Sequence, residues 1–362
     1  MRGAVRLLAA AAALAACATS ANAAPASAAT PRVLGTGHDP GVAVDFHGTA
    51  HVAWLAETGS GAATLEYCQV PRAKRSCAVR ESFPLEKPGS GKVQVIARGA
   101  QVDVLAPEVN ADSVLLVSAD DGRTFLGHRL GELPAIAEMV PGPGAGVSLL
   151  SGSGPASYGR YGLDGSGPGG LPVQFGDATE SLGTDLVRHD GGLAAFLAGA
   201  GGIRSALWAG AGDPDLQQNW VEGPRLAGLR SSPSAADGRS GTFLASVDRR
   251  AGLRAIRVAR LKGARLRAPR RVSRQDPTEL SLTQAPGGGM ALVWAGTTDG
   301  WLSRSRRGTR WTAPRRLFRG NDPGDLHAAL RNRGGWVVWD GSPGNGGAHP
   351  IRIAALPRPP RR

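Results

Sequence analysis

Three aspartates recur in one local context. Asp39-Pro40, Asp276-Pro277 and Asp322-Pro323 each open a segment that passes through glycine and ends on an apolar run closed by tryptophan: Val52-Ala53-Trp54, Leu292-Val293-Trp294 and Val337-Val338-Trp339. Carboxylates gathered in a cleft can divide the cleavage of a glycosidic bond, one as general acid and another as nucleophile or base. Asp before Pro also opens turns and bonds its own backbone, the commoner use of the pair. Of the histidines, His38, His47, His51, His128, His189, His327 and His349, only His47 and His51 stand four apart, and no metal site or cofactor is expected from them. His38 and His47 flank the first such segment and His327 takes the corresponding place in the last.

A second group is basic. Arg254, Arg257, Arg260, Lys262, Arg265, Arg267, Arg270, Arg271 and Arg274 crowd one stretch, and Arg304 to Arg319 crowd the next, in a chain of net charge +13. Such a density offers a face to an anionic polymer or to acidic headgroups, Arg265, Arg270, Arg271, Arg315 and Arg316 being the binding candidates. The aromatic interleaving of a single-stranded nucleic-acid platform is missing, so nucleic acid is not the expected partner.

The elements that must carry these residues repeat. The last two Asp-Pro pairs lie 322 − 276 = 46 residues apart. Similar strand pairs run from Val93 to Ala106, Ala135 to Leu150, Leu186 to Phe196 and Ser234 to Val247, turning at Arg98-Gly99, Pro-Gly-Pro-Gly, Asp190-Gly191-Gly192 and Asp237-Gly238. Seven units at roughly 45–50 residues each fit an all-β propeller of four-stranded blades, with six blades as the alternative count. An aromatic or Leu followed by Pro, Arg and an aliphatic marks the outer strands: Pro224-Arg225-Leu226, Pro269-Arg270-Arg271-Val272 and Pro314-Arg315-Arg316-Leu317. Proline suits an outer edge, where its missing N–H faces solvent. The signature occurs once more at Pro31-Arg32-Val33-Leu34, before the first unit, while the last unit ends one strand short after Ile351-Arg352-Ile353. The N-terminal strand is therefore expected to complete the last blade and close the ring, removing an open edge. Trp54, Trp294 and Trp339 read as packing between blades. Trp301 and Trp336 are less regular and open to stacking on a sugar.

Ser118, Asp120, Gly122, Thr124 and Phe125 complete the sequence evidence. In Ser118-Ala119-Asp120-Asp121-Gly122-Arg123-Thr124-Phe125, the hydroxyls and carboxylate can bond backbone N–H groups within a turn, Gly122 allows positive φ and Phe125 packs beneath. The stretch resembles the Asp-box of sialidase-like β-propellers, S-x-D-x-G-x-T-[WF], and Ser305 to Trp311 is a degenerate copy with Arg307 at the Asp position. The resemblance implies a propeller. It does not extend to the catalytic set of sialidases: no Arg-Ile-Pro motif occurs, and the tyrosines, Tyr67, Tyr158 and Tyr161, lie in a hairpin and a Gly-rich segment.

The N-terminus reads as an export signal, with Arg2 and Arg6 before an apolar run too short to span a membrane. Leu14-Ala15-Ala16-Cys17 resembles a lipobox, which would acylate Cys17 and anchor the chain at the outer face of the membrane. Ala21-Asn22-Ala23 is the competing cleavage site, which would release a soluble protein. Cys68 and Cys77 are expected to pair. The expected organisation is signal 1–23, linker 24–30, propeller 31–356 and disordered tail 357–362. The expected role is a monomeric, non-catalytic binding or scaffold module at the cell envelope for glycans or anionic polymers; the alternative is a glycoside hydrolase or lyase acting on extracellular polysaccharide.

Overall fold

A computed structural model describes residues 30–357 except 58–62, 75, 87–91, 109–111, 134–135, 145, 153–154, 169, 176–182, 200, 227–228, 249–253, 321–322, 333 and 342–348. The expected signal, the lipobox-like stretch with Cys17, and the tail beyond 357 lie outside the described residues, as does Asp322.

Seven antiparallel sheets follow one another around a ring. Blade 1 spans 38–85, blade 2 94–132, blade 3 136–175, blade 4 184–222, blade 5 229–273, blade 6 279–319 and blade 7 323–356. Each blade is a meander from an inner strand at the axis to an outer strand at the rim. The outer edge of blade 5 is split into two short strands, Arg265–Leu266 and Arg270–Ser273, which both pair with Ala255–Lys262. Blade 7 takes its outer strand from the other end of the chain: Arg32–Thr36 pairs antiparallel with Pro350–Leu356, Arg32 opposite Ile353 and Thr36 opposite Pro350. The seven-blade count and the N-terminal closure both agree with the sequence reading.

Alternation along the strands explains why these segments form sheets that face one another. Among the described residues the buried apolar side chains fall into seven clusters, and each fills one interface between neighbouring blades. Trp54, Trp294 and Trp339 occupy equivalent second strands and are fully buried. Trp54 donates to the Thr36 carbonyl at 3.2 Å, and Trp336 donates to Gly48 O at 3.0 Å, so both tie blade 7 to blade 1. Trp336 is buried and has no face to offer a sugar; Trp301 is half-buried against the cluster of blades 5 and 6.

Turn chemistry sets local register. Asp190 and Gly191 both have positive φ, 45° and 87°, between directly paired His189 and Gly192, the geometry of a tight hairpin with right-handed strand twist. The Ser118–Phe125 turn is stapled by its own side chains. Asp120 Oδ1 accepts from Thr124 N at 2.9 Å, its Oδ2 accepts from Thr124 Oγ1 at 2.8 Å, and Gly122 N donates to Ser118 Oγ at 2.8 Å. The Thr124 amide first, then the Ser118 and Thr124 hydroxyls, hold the Asp120 carboxyl down at about 2. Phe125 packs edge-on against Tyr67 and Phe83 of blade 1, and a Cβ at Gly122 would collide with the Tyr67 hydroxyl. Cys68 and Cys77 form a disulfide that closes a short loop in blade 1, which stabilises by about 2–3 kcal/mol.

Candidate functional site

The inner strands, His38–Val44, Gln94–Arg98, Ile136–Pro141, Thr184–His189, Leu229–Ala236, Glu279–Gln284 and Pro323–Arg331, surround an axial cavity of about 640 Å³. Among the described residues no Phe, Tyr or Trp lines it. At the end where these strands terminate, the Arg331 guanidinium donates to Val44 O at 2.7 Å and Ala97 O at 3.0 Å, tying the inner strands of blades 7, 1 and 2 together. Charge collects at the opposite end, where the inner strands begin.

Lys92, just before the inner strand of blade 2, reaches across the axis. Its Nζ lies 3.2 Å from Glu279 of blade 6 and 3.5 Å from Asp325 of blade 7. Burial works against the ammonium, but those carboxylates outweigh it and hold the lysine charged well above its ordinary range. Burial likewise pushes Asp325 up, while Lys92 and a hydrogen bond shared with Asp39 bring it below the ordinary carboxylate value. Asp39 moves the other way, raised by burial and by Asp325 despite its 2.7 Å bond to His38 Nδ1. The two aspartates thus share one proton more readily than they ionise together. Asp39 also adopts φ of 52°, a strained conformation for a non-glycine residue. Asp340 beside this pair is pushed up to about 6 by burial and by Asp325 and Asp39.

Deeper in the cavity lie Glu138 of blade 3 and Asp185 of blade 4. Burial, then Asp185, raises Glu138 well above its ordinary value. Burial raises Asp185 to about 7, against the pull of backbone donors that include Ala235 N at 2.6 Å. His327 lines the same cavity and is driven down to about 3 by burial and by Lys92, so its imidazole is neutral at physiological pH.

Of the aspartates singled out by sequence, Asp39 belongs to this mouth. Asp276 pairs with Arg254 and does not line the cavity. The next acidic residue after each of the later two Asp-Pro dipeptides, Glu279 and Asp325, is the one brought to the axis. Glu138, Asp185, Lys92 and Asp340 carried no motif; the first three share a position at or near the start of an inner strand, and Asp340 sits near the end of the second strand of blade 7. His38 bonds Asp39 rather than another histidine, and among the described residues no group of His, Cys, Asp or Glu has the geometry to hold a metal ion. The tyrosines are structural: Tyr67 bonds His51 at 2.7 Å, Tyr158 bonds Ser148 at 3.0 Å and Tyr161 donates to Gly170 O at 3.0 Å.

The outer edge of blades 5 and 6 is the second charged region. Between Arg254 and Arg319 the chain has fifteen Arg and one Lys against Asp276, Glu279 and Asp299. That excess of 16 − 3 = 13 equals the whole net charge, and the rest of the chain is balanced. Arg265, Arg270 and Arg271 on blade 5 are exposed, as is Arg316 on blade 6. Arg270 Nη1 donates to Thr309 O at 2.9 Å, which ties the blade 5 edge to the last hairpin of blade 6. Arg316 meets Asp299 at 3.4 Å. Arg315 is half-buried beside Arg304, whose guanidinium is brought down to about 10 by burial and by that like charge. Arg304 Nη2 donates to Pro357 O at 2.6 Å, and its Nε is shut off without a hydrogen-bond partner.

No protein-family model and no curated protein sequence matches the chain. Its fold is similar to that of YCF48 bound to D1 peptide, with a TM-score of 0.54, 12% identity and coverage of 92% of this chain and 96% of that one. The WD40 domain of Toxoplasma gondii coronin gives 0.56 and 10%, covering 91% and 87%, and the polysaccharide lyase Uly1 gives 0.55 and 10%, covering 90% and 91%. At these identities the likeness is one of fold.

Proposed function

We propose that the chain is a non-catalytic binding module of the cell envelope, which docks an anionic polymer or acidic glycan on the outer edge of blades 5 and 6. The observation that carries this reading is the placement of the whole positive excess on two adjacent blades, with exposed guanidiniums that meet few carboxylates. Guanidinium forks suit phosphate and carboxylate groups, and a row of them along a rim suits a chain that repeats such groups. The exported, lipid-anchored or secreted setting proposed from the N-terminal sequence would put this edge before the charged polymers of the envelope.

The glycoside hydrolase or lyase alternative has less support from the axis. Asp39 and Asp325 hydrogen-bond to each other, closer than the roughly 5–10 Å that separates the working carboxyls of glycosidases, and among the described residues no Phe, Tyr or Trp walls the cavity. The test is binding of the mature chain to immobilised polyphosphate, a uronate polymer and a neutral glucan at 50 and 300 mM salt. Binding to the two anionic polymers that collapses at high salt supports the reading. Binding to the neutral glucan alone, or hydrolysis of any of the three, would overturn it.

A further inference from the structure

The axis poses a different question from the edge. Its carboxyl groups, Glu138, Asp185, Glu279 and Asp325, face one ammonium, that of Lys92. Lys92 is engaged with Glu279 and Asp325 on one side of the ring. On the other side Glu138 and Asp185 line the cavity without an ion pair to any cation among the described residues, and Asp185 is only 7% exposed. His327 adds an independent feature: its Nε2 is shut off from solvent, has no hydrogen-bond partner and belongs to the wall of the same cavity. A neutral imidazole with its proton on Nδ1 presents Nε2 as an acceptor for an N–H donor.

We propose that the axial cavity binds a small ligand bearing a primary ammonium group, which Glu138 and Asp185 receive as Glu279 and Asp325 already receive Lys92. The cavity, about 640 Å³, falls in the range of small-molecule sites, and a few convergent polar groups in a partly apolar wall of Val42, Val93, Val140 and Leu282 fix orientation in such sites. An ammonium placed there favours the ionised form that burial disfavours, so its arrival expels protons from Glu138 and Asp185. A ligand of opposite charge is excluded by the same carboxyls, which separates this site from the anion-facing edge. Asp39 and Asp340 lie nearer Asp325 and add to the negative field at the entrance.

Two sources of the ammonium group, an amino sugar and an aliphatic amine, can be told apart directly. The full chain is titrated by calorimetry with D-glucosamine and with 1,4-diaminobutane, each against its neutral counterpart, D-glucose and 1,4-butanediol. At least one amine should bind ten or more times tighter than its neutral counterpart, and whichever does so identifies the source. Binding should weaken several-fold from pH 7 to pH 5.5, where both amines stay mainly protonated, as the carboxyls retain their protons, and heats in buffers of different ionisation enthalpy should show proton release at pH 7. The double variant Glu138→Gln, Asp185→Asn keeps the shape and the acceptor for Ala235 N and should lose the preference for amines. If that variant does not fold, the proton release of the unaltered chain decides alone. Equal binding of amine and neutral counterpart, no binding of either amine, or binding without proton release overturns the proposal; none of these outcomes bears on the polymer reading of the edge.

Discussion

The axis and the outer edge of blades 5 and 6 are both crowded with charge, yet the fold treats them in opposite ways. At the axis, charges of one sign are offset, by Lys92 lying 3.2 and 3.5 Å from two carboxylates, by a hydrogen bond between Asp39 and Asp325, and by the raised proton affinity of buried Glu138 and Asp185. At the edge the arginines stay charged and solvated, with contacts such as Arg316 to Asp299 at 3.4 Å. Desolvation accounts for the difference. A buried like-charge group must find a partner or a proton, whereas water and salt screen the same crowding at the rim. Axial charges therefore couple stability to pH, and with it the proposed ammonium site, whereas the role proposed for the edge charges is encounter with a polymer.

The sharpest way to break this contrast is charge reversal at the edge. Replacing Arg265, Arg270, Arg271 and Arg316 by Glu should lower affinity for polyphosphate at 50 mM salt by about a thousandfold, since each lost phosphate contact removes a share of counterion release. Thermal unfolding should barely move. A large loss of stability, with polymer binding unchanged, would reverse the roles assigned to the two regions.

Removing the axial cation should do the opposite. Lys92→Met leaves Glu279 and Asp325 without their ion-pair partner in a partly buried place, and should cost about 2 kcal/mol in urea unfolding at pH 7.5. Polymer binding should be unaffected. Lowering the pH should rescue much of the loss, because protonated carboxyls need no cation.

Asp185→Asn tests the sign of the remaining axial charge. With its carboxyl raised to about 7 in the fold, Asp185 binds a proton more tightly folded than unfolded. Its contribution to stability is present near pH 4 and is lost as pH rises towards 7. The variant, which has no such proton to lose, should gain on the unaltered chain by about 1–2 kcal/mol between pH 5 and pH 7.5. A gain as pH falls would mean that Asp185 is paired as an anion.

Much of the frame was legible in the sequence, and the reasons are local. Pro31-Arg32-Val33-Leu34 repeats the outer-strand signature ahead of the first full unit while the last unit is one strand short, so closure onto Ile351-Arg352-Ile353 follows from edge chemistry. Trp54, Trp294 and Trp339 mark one strand position in three blades because the wedge between blades has room there for an indole. The axial site was less legible. Lys92, Glu138, Asp185, Glu279 and Asp325 come from five separate blades, in or just before their inner strands, and no spacing within one strand encodes their meeting at the centre. The Asp-Pro pairs pointed near the place without naming it. The ladder shifts register between His38 and Gly41 and between Pro323 and Leu326, so residues at the start of these strands do not follow simple alternation. Nor did sequence alone separate Trp336, buried against Gly48, from a tryptophan open to ligand.

The smallest expected effect is the most discriminating for the edge itself. Arg316→Gln removes an exposed contact to Asp299 at 3.4 Å, a pair of the kind that contributes about 0–1 kcal/mol, so the urea midpoint should stay within measurement error. Affinity for polyphosphate at 50 mM salt should nevertheless fall about threefold, and the slope of log affinity against log salt should flatten by rather less than one phosphate's worth. A change in slope without a change in stability assigns Arg316 to the partner. A change in stability without a change in slope assigns it to Asp299, and the rim on blade 6 would then be a structural edge, leaving Arg265, Arg270 and Arg271 of blade 5 to meet the polymer.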